Sequence, residues 1–272
     1  MKNTDYRPIT PISILAHKIG QLQKSIANET VSDGLKHLIQ ECAELVHPMD
    51  TYISEHTTKP SQALVDLEAS TKALDWDAAY NEGDTNIRLE KEMLSGAVEG
   101  QFLKMLVAIS SAQNVLEIGS FTGYASLAMA EALPKDGSLI ALEYDRFVSE
   151  FAKKHLKKAP DGEKVSVLRG DALNSIRVLK ENNKVFDLIF IDADKQNYQI
   201  YYDAILDDGL LELGGLICVD NTLFMGQVYG AKPQSENGDA IADFNSVVAQ
   251  DSRVEQVLLP LRDGLTLIRR IA

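Results

Sequence analysis

The chain has 272 residues, 45% of them hydrophobic and 25% charged, which suits one α/β domain with an extension and a full core. Its 40 acidic and 27 basic side chains give a formal net charge of −13, which repels nucleic-acid phosphates and anionic lipid heads and argues against both as partners. The two cysteines, Cys42 and Cys218, belong to no CxxC or Cys/His cluster, which argues against a disulfide framework or a zinc site. Met1 to Asp5 carry no apolar run of a secretory signal, and no stretch approaches the roughly 18 apolar residues of a membrane span, so a cytoplasmic protein is expected.

Residues 1–80 read as a helical extension. Leu35, Leu38, Ile39, Cys42, Leu45 and Val46 recur at helical spacing and form one apolar stripe. Pro48 ends or kinks that helix. A further helix is expected after Pro60 with Ser61 as its cap, and Asn81-Glu82-Gly83-Asp84 reads as a polar loop. Trp76 and Tyr80 lie where the two parts join, and packing between the parts is their expected role, with the lining of an acceptor pocket the alternative.

Residues 81–272 alternate helices with β-rich runs. Strands are expected at Val115–Ile118, Leu139–Glu143, Val165–Leu168, Phe186–Asp192 and Gly215–Asp220, with an Ala-rich helix from Tyr124 to Leu133. The fourth run is nearly all apolar, as a buried parallel strand should be. This alternation implies βαβ units and a parallel sheet. Val254–Leu261 and Leu265–Ile271 flank Asp263-Gly264, a hairpin signal, so an antiparallel hairpin should close the sheet. Cys218 reads as a small core residue of the fifth strand.

The loop Glu117-Ile118-Gly119-Ser120-Phe121-Thr122-Gly123 lies between a strand and a helix, and Glu143 ends the next strand. This is the layout of a nucleoside site in a Rossmann-type fold: glycines let backbone approach the ligand, and the later acid accepts the ribose hydroxyls. A dinucleotide would put its pyrophosphate on the helix N-terminus. Here the third glycine of that fingerprint is missing, and Glu117 sets an anion at the start of the loop. That opposes pyrophosphate and suits the cationic methionine end of S-adenosylmethionine (SAM). A tight strand–helix turn without a ligand is the alternative. Asp171, after the third strand, could accept from an adenine amino group or cap the next helix, and the residues alone leave both open.

Asp192 ends the fourth strand, and Asp220 and Asn221 end the fifth. Ligands of open α/β sheets bind outside the carboxyl ends of the strands. If these two strands are neighbours, the three side chains form a hard oxygen site suited to Mg²⁺, Mn²⁺ or Ca²⁺. The alternative is that they cap helices or pair with Lys and Arg. Lys195 could serve as a general base if nearby cationic charge depresses its ammonium, or could pair with its neighbour Asp194 at the surface. A phenol hydroxyl beside the cation would lose its proton to Lys195, with a second ring hydroxyl fixing its orientation.

These residues resemble the class I cation-dependent O-methyltransferases, the caffeoyl-CoA and catechol type. The resemblance lies in Gly100-Gln101-Phe102-Leu103, Glu117 to Tyr124, Asp192 to Tyr198, Asp220-Asn221-Thr222-Leu223, Asp251 to Val254 and Asp263-Gly264-Leu265. It begins near Met93 and runs to the C-terminus. It implies a Rossmann-like SAM-methyltransferase fold, with a mostly parallel seven-stranded sheet ending in an antiparallel hairpin. It implies that Asp192, Asp220 and Asn221 hold the metal, and that Lys195 is the base, with Asp192 beside it in the catalytic centre. Met93, Ser95, Glu117, Gly119, Ser120, Thr122, Tyr124, Glu143, Asp171, Ala172 and Asp192 would meet the cofactor. Tyr198 matches a tyrosine near the site. A small phenolic acceptor and a homodimer are also implied, the N-terminal helices acting as dimer arm or lid.

Two departures bear on the acceptor. Phe224 stands where many relatives have Trp, and residues 1–80 differ from the short N-terminal segment of the plant enzymes. That region carries no obvious basic cluster for a CoA phosphate. A nicotinamide-dependent reductase would explain the glycine loop, but no tyrosine has a lysine four positions later, and Asp220-Asn221 would be idle. A non-catalytic SAM-binding module should have lost its metal ligands or base. A carboxylate acceptor would need no Lys195.

Overall fold

The computed structural model describes residues 7–27, 29–230 and 235–272; Met1 to Asp5, read above for a signal, lie outside them. Helices come first: α1 (Pro11–Ile26), α2 (Asp33–Val46), α3 (Met49–Glu55), α4 (Gln62–Ala73) and α5 (Trp76–Asn81). Their starts follow capping chemistry. Thr10 and Ser13 form a reciprocal capping box on α1, while Ser32, Ser61 and Asp75 accept from backbone N–H groups at the starts of α2, α4 and α5. Pro48 separates α2 from α3, as expected.

The rest is α6 (Gly96–Ser110), β1 (Asn114–Ile118), α7 (Tyr124–Ala130), β2 (Ser138–Glu143), α8 (Arg146–Leu156), β3 (Val165–Arg169), α9 (Ala172–Glu181), β4 (Phe186–Ile191), α10 (Tyr198–Asp207), β5 (Leu211–Asp220), α11 (Glu236–Gln250), β6 (Val254–Leu259) and β7 (Leu265–Arg270). Among the described residues the strands form one seven-stranded sheet in the order β3-β2-β1-β4-β5-β7-β6. The first five are parallel, and β7 and β6 close the edge antiparallel. The strand β5 begins earlier than its sequence suggests, because its register against β4 shifts past Phe186 and lets Leu211 pair. The helix α7 stops at Ala130, short of Leu133.

Helices cover both faces of the sheet. Leu103 and Val107 of α6, the whole inner side of α7, and Ala152 and Leu156 of α8 share one core with β1 and β2. Ile176 of α9, Tyr198 to Leu206 of α10, and Phe244 of α11 form the other with β4 and β5. Strand order reverses between β1 and β4, which opens a crevice at their carboxyl ends.

The N-terminal helices are only partly absorbed. The α4 helix packs on α7, and the Thr71 and Thr122 hydroxyls hydrogen-bond at 3.0 Å. Trp76 is buried against Phe121 at 5.0 Å between ring centroids, so it packs between the parts as expected. In α2, Ile39 and Val46 are buried, yet Leu38 and Leu45 are 56% and 75% exposed, so the predicted stripe is half uncovered. Among the described residues, no helix is long and apolar enough to cross a membrane.

Candidate active site

The crevice has two halves. The first lies at the ends of β1 and β2. Gly119 has φ +87°, and a Cβ built there would stand 2.1 Å from the Asp192 carbonyl oxygen, so only glycine lets the loop lie against β4. Gly123, at φ +89°, turns the chain into α7. The loop is held from the next strand: Glu143 Oε2 accepts from Phe121 N at 2.9 Å, and its Oε1 accepts from Asp145 N at 2.8 Å. Burial pushes the Glu143 carboxyl up to about 7 against the pull of these N–H groups.

Met93, Ser95, Glu117, Gly119, Ser120, Tyr124 and Asp192 line this half of the cleft, all of them among the expected cofactor residues. Glu117 is fully enclosed, and Ser126 donates a hydrogen bond to its Oε2. Burial lifts its carboxyl to about 8; Ser126 opposes this, and Asp192 and Glu143 add to it. Ser120 Oγ and Tyr124 Oη are buried and unpartnered among the described residues. An enclosed acid beside orphaned polar groups fits a ligand with a cationic, hydrogen-bonding end, which the methionine portion of SAM supplies.

Two expected cofactor residues have partners within the fold. Thr122 is fully buried with its hydroxyl bonded to Thr71, so its side chain serves the junction with α4 and not the lining of the cleft. Asp171 caps α9, accepting from Asn174 N at 2.8 Å, with Ala172 as the first helical residue.

The second half lies at the ends of β4 and β5. Ile191 pairs with Val219, so Asp192 and Asp220 come next at the ends of neighbouring strands. Burial and then Asp192 raise the Asp220 carboxyl to about 6. Asn221 follows with φ +60°. A buried acid whose ionisation burial and Asp192 disfavour, followed in the chain by an amide side chain, fits a hard divalent cation, which would relieve that cost. Among the described residues no three His, Cys, Asp or Glu side chains group as a metal site. The third donor in this grouping is an amide.

Lys195 does not pair with its neighbour Asp194, the surface alternative read from the sequence. It bonds Asp192 Oδ1 at 2.9 Å and Tyr198 Oη at 2.6 Å, while Asp194 is taken by Tyr201 and Asn197. Its neighbours Asp192, Tyr198 and Asp220 outweigh burial and hold the ammonium well above the usual lysine range. Tyr198 Oη in turn donates to the Asp220 carbonyl at 3.2 Å, so Lys195 is braced from both strands.

Two further residues join this half. Glu99 of α6 is 1% exposed and accepts from Arg262 Nη1 at 2.7 Å. Burial and Asp220 push its carboxyl up. The sequence held one signal for Glu99: it lies on the face of Leu103 and Val107, at successive spacings of four. Arg262 gave none, being hidden in a hairpin signal.

A Rossmann-type sheet with a glycine loop and an enclosed acid at its switch point defines a SAM-dependent methyltransferase. The O-methyltransferase family model matches residues 81–271. Caffeoyl-CoA O-methyltransferase 1 of Eucalyptus globulus is 34% identical over 262 residues, covering 93% of this chain and 98% of that protein. The caffeoyl-CoA O-methyltransferase of Petroselinum crispum is 40% identical over 191 residues, 66% of this chain and 78% of that one. Among solved structures, SAH-bound PaMTH1 of Podospora anserina superposes with a TM-score of 0.71 at 27% identity, covering 84% of this chain and 95% of that chain. TomG of Streptomyces achromogenes, in complex with SAM, gives a TM-score of 0.68 at 27% identity, covering 82% and 96%. The chain belongs to the O-methyltransferase family, in the class I cation-dependent type of the caffeoyl-CoA O-methyltransferases. An alignment over 93% of the chain extends well upstream of Met93, so the resemblance includes part of the helical extension.

Proposed function

We propose that this enzyme methylates one of two neighbouring hydroxyls on a small phenol, with a divalent cation held by Asp192, Asp220 and Asn221 and with Lys195 as general base. The observation that carries this reading is the pair of strand-end carboxylates with the Lys195 amine against Asp192. The caffeoyl group in the plant relatives' names carries such a pair of hydroxyls. The cation supplies Lewis acidity, which eases loss of the phenol proton. Lys195 takes that proton on Nζ, braced by Tyr198. Neutralising Asp192 and Asp220 removes the charge that holds its ammonium on. Glu117 faces the cationic end of SAM, and Gly119 brings the loop close enough for alignment of the reacting atoms. The methyl passes to the phenol oxygen, leaving S-adenosylhomocysteine.

The test is transfer from labelled SAM to a panel of catechols and simple phenols, with Mg²⁺ and then with EDTA. Methylation of vicinal diols that EDTA stops and Mg²⁺ restores is expected. Equal rates in EDTA would overturn the cation role.

One observation favours a second acceptor class. Lys195 is held as an ammonium in the absence of a cation, and a carboxylate acceptor, already ionised, needs no base. Lys195→Ala separates the two: a fall of about 10²–10⁴-fold is expected for a phenol, and full activity on the true acceptor for a carboxylate.

The division near residue 80 is part of the same proposal. The exposed Leu38 and Leu45 of α2 and Ile53 of α3 are the arm of a homodimer. The α1 helix touches the segment 224–229 that follows the Asp220 strand, and walls the acceptor side. Light scattering at micromolar concentration should give a dimer mass, reduced to a monomer by Leu38→Ser with Leu45→Ser. A monomeric wild type rejects the arm. Cys42 and Cys218 are unpaired, which suits the reducing cytoplasm.

A further inference from the structure

Glu99 is the buried acid that the chemistry above leaves unused. It stands in the first turn of α6, and only Oε2 is paired, with Arg262. Its Oε1 is buried without a hydrogen-bond partner among the described residues. Buried carboxylate oxygens are ordinarily satisfied, so this one asks for a donor that binds in the cleft.

Its surroundings say which half of the cleft supplies the donor. The charges acting on Glu99 are those of Asp220, Arg262, Asp192 and Lys195, and Glu99 acts in turn on Cys218, two residues before Asp220. Its partner Arg262 sits in the β6–β7 turn, where the carbonyls of Asp263 and Gly264 accept from Leu223 N and Thr222 N just past Asn221, so Glu99 belongs to the acceptor half.

Arg262 fixes it there. Its Nη1 also donates to the carbonyls of Leu94, at 3.2 Å, and Ser95. The same turn is pinned on its other side, where Asp263 Oδ1 accepts from Met225 N at 2.6 Å and Gly264 O accepts from Thr222 N at 3.0 Å. The β6–β7 turn thus joins the cofactor segment to the loop that follows Asp220 and Asn221, with Glu99 clamped between.

We propose that Glu99 is an outer-sphere carboxylate of the cation centre, its Oε1 accepting a hydrogen bond from a water of the cation's hydration shell while Arg262 holds it in register. This rests on the cation reading given above. Three protein oxygens leave about half of an octahedral shell to water and acceptor, and such waters need orienting partners. Glu99 is a positioning residue: it touches neither the acceptor nor the reacting atoms.

The test is calorimetric titration of the full chain with Mn²⁺, and separately with S-adenosylhomocysteine, in wild type, Glu99→Gln and Asp220→Asn. The Glu99→Gln side chain keeps its size and can still accept from Arg262, but it presents an N–H donor where Oε1 accepted. It should bind Mn²⁺ about tenfold or more weakly, the usual range for loss of an outer-shell partner, with S-adenosylhomocysteine affinity unchanged. Wild-type Mn²⁺ affinity in Glu99→Gln overturns the inference while leaving the cation reading standing. Parallel loss of S-adenosylhomocysteine binding also overturns it, since the pair would then only prop the cleft. If wild type binds no Mn²⁺, or Asp220→Asn binds it equally well, the cation reading falls and takes the inference with it. Should Glu99→Gln not fold, the double variant Glu99→Leu with Arg262→Leu replaces the ion pair with apolar groups and is read in the same way.

Discussion

The two halves of the cleft are built from different materials. The cofactor half is shaped by backbone: its tightest turns fall on Gly119 and Gly123, and Glu143 is committed to two loop N–H groups. The acceptor half is built from charge, with Asp192 on Lys195, Glu99 on Arg262, and Asp220 and Asp263 both raised by burial. It also carries most of the non-glycine residues in the left-handed region: Asn221, Phe224, Met225 and Arg262, against Phe121 alone in the cofactor loop. Each such residue costs on the order of 1 kcal/mol and persists only where its surroundings over-determine it. One half fits a fixed ligand by shape and a single enclosed acid. The other holds charged groups and left-handed backbone together at the ends of β4 and β5.

The largest expected effect separates the halves. Asp220→Asn keeps shape and removes one carboxylate from the strand end, without touching the lining of the cofactor half. Cation-stimulated transfer should fall by about 10³-fold or more, since several kcal/mol of charge stabilisation are lost. S-adenosylhomocysteine affinity, measured by calorimetry, should stay within a few-fold. Loss of both together would show that the halves are one unit.

Gly119→Ala should strike both halves at once. The added Cβ meets backbone, the Asp192 carbonyl, at a position where φ is +87°. Neither the loop nor β4 can yield cheaply, so a loss of about 3 kcal/mol or more is expected, or roughly 10 °C in Tm by calorimetry. Binding of S-adenosylhomocysteine and Mn²⁺ should weaken together. A variant that loses the cofactor alone would place the coupling elsewhere.

The two halves were also unequally legible in the sequence. The cofactor half is local: strand, glycine turn and helix follow one another, and Glu143 closes the next strand, so spacing sufficed. The strand ends carrying Asp192 and Asp220 could be read because apolar parallel strands announce where they stop. Lys195 could not be placed. Sequence adjacency favoured Asp194, but the short turn at Lys195–Asn197 directs the amine back to Asp192, while Tyr201 and Asn197 take Asp194. The Glu99–Arg262 pair joins residues 163 positions apart, and only the closed sheet brings them together. The half-exposed stripe of α2 shows the converse: periodicity marks a helix face without saying what covers it.

Glu117→Gln is the mildest substitution and sharpens the comparison from the cofactor side. Burial raises the Glu117 carboxyl from 4.5 to about 8 in the folded chain. An acid with a raised folded-state pKa holds its proton more tightly folded than unfolded. Its favourable contribution is therefore present at low pH and is lost as pH rises from about 4.5 to about 8. Glutamine keeps the size and the bond to Ser126 but cannot ionise. The variant should match wild type near pH 4.5 and exceed it at pH 8 by on the order of 10 °C in Tm, since each pKa unit is worth about 1.4 kcal/mol and about 1 kcal/mol shifts a domain of this size by roughly 2–4 °C. Binding should move the other way. The enclosed carboxylate is the partner of the ligand's ammonium, and loss of a charged hydrogen bond should weaken S-adenosylhomocysteine about tenfold or more. More stability with less binding would mean that Glu117 is kept for its ligand at a cost to the fold. Unchanged binding with a raised Tm would instead make it a buried acid without a cofactor role, and the cationic end of SAM would then need another counter-charge in the cleft, with Asp192 the remaining carboxylate in its lining.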